Sequence, residues 1–191
     1  MTKRSPILLL GVAVVITAFV LFTVIIPAFQ PEGTGGDLGV AFYDKDGNPV
    51  GVPMAFVGTA GEVEDIVISL SYTVSSSEER FEETLSVWGN VLIEWKTGAA
   101  GAEYTTAFDL PIEESRLATK TYSWPYDLRE IITIDATGKT YGWTVQITAT
   151  LTSSMTAGGE LVTSEPWTET ISFTLIWESE TLMISGSVGW I

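Results

Sequence analysis

The sequence predicts an all-β fold: an antiparallel two-sheet β-sandwich preceded by one N-terminal transmembrane helix. Three observations predict it. An unbroken apolar run, Ile7–Ile26, follows the basic pair Lys3-Arg4. Beyond it, apolar residues alternate with Thr and Ser in one segment after another, the pattern of strands covered on one face only. Clusters of Gly, Asp, Asn and Ala separate these segments, where strands need turns.

The apolar run comes first. Its twenty residues, at about 1.5 Å each, make a helix of about 30 Å, the thickness of a bilayer's hydrocarbon core. Thr17 and Thr23 are its only polar residues, and each hydroxyl can bond a carbonyl one turn back. Pro6 suits the first helical turn, whereas Pro27, Pro31 and Gly33 end the pattern. Lys3 and Arg4 flank one side, and no further Lys or Arg occurs until Lys45. The positive-inside rule then puts residues 1–6 in the cytoplasm, 7–26 across the cell membrane and the rest outside. A cleaved signal peptide would have an apolar region of about 7–15 residues and a small-x-small site. The run is longer and Ile26-Pro27-Ala28 is a poor site, so an uncleaved single-pass signal-anchor is expected, with the lipid bilayer as partner of Ile7–Ile26.

Residues 27–39 read as a Gly/Pro linker and residues 40–191 as one extracytoplasmic domain. Val40–Tyr43 and Val50–Phe56 are short strands around an Asp44–Asn48 hairpin turn. Ile66, Ile68, Leu70, Tyr72 and Val74 line one face of the next strand, and Ser76–Glu83 suits a helical turn behind a capping serine. Leu85, Val87, Val91, Ile93 and Trp95 repeat the face, with a bulge expected at Gly89. Tyr104, Phe108 and Leu110 form a shorter strand, and Ser123–Tyr126 reads as a connection. Asp127–Glu130 suits one helical turn and Ile131–Ile134 a short strand. After a turn at Ala136–Lys139 come the faces Tyr141–Leu151, Trp167–Trp177 and Leu182–Trp190. Eight or nine strands spaced this way resemble the immunoglobulin-like or fibronectin-III-like build. Tyr141, just past a turn, is either a tyrosine corner or one more core aromatic.

Composition excludes more than it assigns. Beyond the apolar run, seven basic against 24 acidic side chains leave −17. A domain so negative repels phosphate backbones, so nucleic acid is not an expected partner. The chain has no cysteine and no histidine. Imidazole zinc sites, Ser-His-Asp and Cys-His catalysis are thereby removed. No enzyme and no cofactor is expected.

Asp44, Asp46 and Asn48 occupy the first three ligand positions of a calcium loop, but Pro49 stands where such a loop needs Gly and Ala55 where it needs Glu. A hairpin turn explains the same residues. Glu78, Glu79, Glu82, Glu83 and the pair Glu113-Glu114 are acidic clusters of adjacent residues, which fan into solvent. Aromatic residues are the remaining surplus. Trp88 points away from the main apolar face of its strand, and Trp124 and Tyr126 fall in the expected connection, so these three are the candidate interaction residues for a sugar or another subunit.

The expected role is a non-enzymatic, membrane-anchored surface protein displaying an acidic sandwich for structural or interaction purposes, through self-association or a surface protein partner. An apolar N-terminal helix followed by a β-sandwich also resembles, in layout, the archaeal flagellins and type IV-like pilins, which implies a filament subunit. Lys3-Arg4-Ser5-Pro6 departs from the basic, small-residue cleavage site of those families. A glycan- or calcium-binding module is the further alternative.

Overall fold

The computed structural model describes residues 33–51, 59–75, 84–134, 141–157, 160–178 and 180–190. The expected membrane helix, the Ser76–Glu83 turn and the Ala136–Lys139 turn lie outside the described residues. Among the described residues no helix is long and apolar enough to cross a membrane.

The described strands are β1 (Gly33–Tyr43), β2 (Pro49–Val50), β3 (Thr59–Glu62), β4 (Asp65–Ser75), β5 (Ser86–Thr97), β6 (Thr105–Ser115), β7 (Thr119–Asp127), β8 (Tyr141–Ala157), β9 (Glu160–Thr163), β10 (Trp167–Glu178) and β11 (Thr181–Trp190), with one short helix, α1 (Leu128–Ile131). They form two antiparallel sheets. One has the order β2-β1-β4-β7, and the other β3-β11-β10-β8-β5-β6 with β9 folded back on β8. The all-β reading therefore holds.

Alternation in the sequence becomes layering in space. Ile66, Ile68 and Leu70 of the first sheet and Val91, Ile147 and Leu175 of the second are all fully buried in one shared core. Each such side chain contributes about 1.5–3 kcal/mol through removal of apolar area from water. Phe42 and Phe173 meet across the layers edge to face, their centroids 4.9 Å apart, a geometry that aromatic quadrupoles favour.

Four sequence expectations change. β1 begins at Gly33, ahead of the Val40 expected, and pairs without interruption from Gly33↔Ser75 to Tyr43↔Asp65. Its glycines disguise it, because Gly usually weakens a strand; here a Cβ on Gly36 would lie 2.6 Å from the Trp167 ring. The stretch Ser123–Tyr126 is no connection but the middle of β7, paired along β4. Pro125 hid it, yet proline suits a strand at a sheet edge, and Pro111 sits likewise on edge strand β6. Ile131–Ile134 is not a strand: α1 ends at Ile131, and Ile131 and Ile132 are buried beneath it. Gly89 carries no bulge, since its register with Ile112 and Leu151 is continuous. The shift in the β5–β6 ladder falls between Ile93 and Glu94.

Candidate functional site

Trp88 is placed by the alternation of β5. Val87 and Val91 are buried while Trp88 stands 40 % exposed on the outer face of the larger sheet. Its cross-strand partners are Glu113 of β6 and Thr152 of β8. Two residues on, Asn90 pairs with Pro111 and Thr150, and its Nδ2 donates to Asp109 Oδ1 at 2.7 Å. Beside them lies a surface of hydroxyls. The core-facing residues of β8 are Trp143, Val145, Ile147, Ala149 and Leu151, which turns Thr144, Gln146, Thr148, Thr150 and Thr152 outward. The same alternation in β10 turns Thr168, Thr170, Ser172 and Thr174 outward. Thr148 faces Thr170 with their hydroxyls 3.1 Å apart, and Thr150 faces Thr168 at 3.5 Å.

Trp124 and Tyr126 behave differently from the expectation that named them. Both point inward from β7 and pack on the core at its edge. Tyr126 stacks on Phe108 with centroids 4.5 Å apart, and Trp124 stacks on Tyr122 at 5.2 Å. The structure does not bring them to Trp88. Below this stack, Glu114 accepts hydrogen bonds from Lys120 Nζ and, at 2.7 Å, from Tyr122 Oη. The Lys120 and Tyr122 bonds hold the Glu114 carboxyl below its ordinary range. Burial, then the nearby Glu114 charge, pushes the Tyr72 phenol up to about 12. Burial and the bond to Glu114 raise Tyr122 well above its usual range.

The Asp44 carboxylate is fully used within its own turn. Oδ1 accepts from the backbone N–H of Asp46 at 2.9 Å and of Asn48 at 2.8 Å, and Oδ2 accepts from Asn48 Nδ2 at 3.1 Å. The Asn48 backbone bond leads the effects that lower the Asp44 pKa. Asn48 is thus the carboxylate's donor, and the arrangement works as an Asx turn. Among the described residues no group of three or more acidic side chains is arranged to hold a metal ion.

The two ends of the sandwich differ in chemistry. Where β1 begins, Thr34 Oγ1 donates to Ser153 Oγ at 2.8 Å, and Ser153 Oγ donates to Ser164 Oγ at 3.1 Å. Thr34 and Ser153 are buried, so these hydroxyls join the first strand of one sheet to the β8–β9 end of the other. At the opposite end, Asp65 and Asp127 are direct cross-strand partners and line a shallow groove with Tyr43, Val67 and Pro125. A second hollow there is lined by Glu62, Glu64, Glu180, Lys45 and Arg129.

Sequence reasoning missed the hydroxyl pairs, although the run Thr144–Thr152 and the Thr-x-Thr spacing of β10 were visible; what it lacked was the register that sets them side by side. Compared with known proteins, the chain matches no family model, no curated protein and no solved structure.

Proposed function

We propose that this chain is a non-enzymatic, single-pass membrane-anchored surface protein. Ile7–Ile26 crosses the bilayer, residues 1–6 lie in the cytoplasm, and the acidic β-domain is displayed outside. The observation that carries this reading is where β1 starts. Only six residues separate Ile26 from Gly33, a reach of about 20 Å at full extension. The end of the domain holding the Thr34–Ser153–Ser164 hydroxyls thus stays close to the headgroups. The opposite end, with Asp44, Asp46, Asp65, Asp127 and Glu180, points away, and its charge opposes settling back onto an anionic surface.

Strand order supports an immunoglobulin-like or fibronectin-III-like assignment of the domain. β1-β4-β7 follows the order A-B-E, and β5-β8-β10 follows C-F-G. β6 lies beside β5 instead of β7, where a constant-type domain carries strand D, and β3 and β11 extend the larger sheet.

The chain's lack of cysteine makes the test clean. Thr2→Cys and Asp46→Cys variants are exposed in intact cells to a membrane-impermeant maleimide. Asp46→Cys is labelled at once and Thr2→Cys only after lysis. Reversed labelling, or release of the protein by an alkaline carbonate wash, overturns the proposal.

A further inference from the structure

We infer that the outer face of the larger sheet, centred on Trp88, is a binding site for a neutral polysaccharide. Trp88 is the one exposed tryptophan among the residues whose side chains are described. A pyranose ring presents a face of C–H hydrogens, which the negative face of an indole attracts. The groups around Trp88 suit the rest of a sugar. Glu113 lies directly across one ladder and Thr152 across the other, with the linked Asn90 and Asp109 one step along. Carboxylate and amide oxygens accept from sugar hydroxyls, and threonine hydroxyls both donate and accept.

Charge selects the class of ligand. In a chain carrying −17 beyond its apolar run, the outward residues Thr144–Thr152 of β8 and Thr168–Thr174 of β10 include no charged side chain, and Glu94 and Lys96 of β5 offset one another. An anionic polymer would be repelled by the surrounding domain, whereas an uncharged one meets no such barrier. Composition argues against a protein in its place. A protein interface needs an apolar centre. Among the described residues Leu92 is the one large apolar side chain beside Trp88 on the face, and Leu161 lies further along it. An extended polysaccharide needs only a flat strip with one ring platform. This inference is independent of the membrane topology and survives or fails without it.

The full chain, purified in a detergent without a sugar headgroup, is mixed with insoluble cellulose, chitin and mannan, and with polygalacturonate-coated beads. The wild-type chain is retained on at least one neutral polymer and not on polygalacturonate. Trp88→Ala reduces retention about tenfold, as loss of one stacked ring should. Trp88→Phe, which keeps a ring, retains most of it, and Thr121→Ala, exposed on the outer face of the smaller sheet, retains all of it. Failure of the wild-type chain to bind any neutral polymer overturns the site, as does undiminished binding by Trp88→Ala. Sedimentation of the wild-type chain as a dimer that Trp88→Ala dissociates, with no polymer retained, would assign the face to a second copy instead.

Discussion

Gly89 of β5 runs so close to Thr150 of β8 that a Cβ built on the glycine would lie 1.9 Å from the threonine's carbonyl oxygen. The obstacle is backbone in the middle of a sheet, so nothing nearby can rotate away. Gly89→Ala should therefore cost about 3 kcal/mol, the upper end for forcing added volume into packed structure. Chemical denaturation of the two proteins side by side measures it. A loss within 0.5 kcal/mol, typical of a surface change, would mean that β5 and β8 separate more easily than their continuous register implies.

Gly36 and Trp167 make a softer version of the same contact. Here a Cβ would meet the far end of a side chain, 2.6 Å away, and the ring can shift. Gly36→Ala should destabilise by about 1–2 kcal/mol. Trp167→Leu in the same chain should recover part of that loss. Non-additivity in the double-mutant cycle is the readout, and simple addition would show that the two residues do not touch.

The buried hydroxyls joining Thr34, Ser153 and Ser164 give a third expectation. Thr34→Val keeps the shape but removes the donor to Ser153, leaving a buried hydroxyl one partner poorer. A loss of about 1–2 kcal/mol follows. Hydrogen exchange should rise first in β1 near Gly33 and leave the β5–β8 ladder protected. Uniform acceleration across the domain would contradict it.

Acid and alkali should act through one cluster. The folded pKa of Glu114 is depressed by Lys120 and Tyr122, so its contribution is present above the unfolded carboxyl value and disappears as pH falls through the lower folded value. The phenols work in the other direction. Tyr72 is raised from 10.0 to about 12 and Tyr122 is raised as well; the unfolded chain loses these protons first, so stability falls as pH climbs above about 10. In a melting-temperature profile, Glu114→Gln should flatten the acid limb and, because burial leads both phenol shifts, only lessen the alkaline one. Unchanged limbs would show that other groups set the profile.

How much of this was legible in the sequence depended on what each strand buries. β4, β5, β8 and β10 show strict alternation because one face of each meets a single continuous core, as Ile66–Val74 and Trp143–Leu151 do. The start of β1 is hidden in the sequence by its glycines, of which Gly36 faces Trp167 and Gly39 faces Ser69, both set by the fold. β7 is hidden because Pro125 signals a break, and only its edge position makes the proline harmless. The turn chemistry of Asp44 was fully local and could be read directly. The exposure of Trp88 is legible from its wrong-face position, whereas Trp124 and Tyr126 flank Pro125, a loop signal, and are half-buried stacking partners.

Pro111 and Pro125 have a consequence for crowded surfaces. They occupy the outermost strand of each sheet on the same flank, and neither can donate to an incoming strand. Strand-to-strand pairing between neighbouring molecules along that flank is therefore interrupted at each proline. Copies brought close together are thereby hindered from fusing edge to edge.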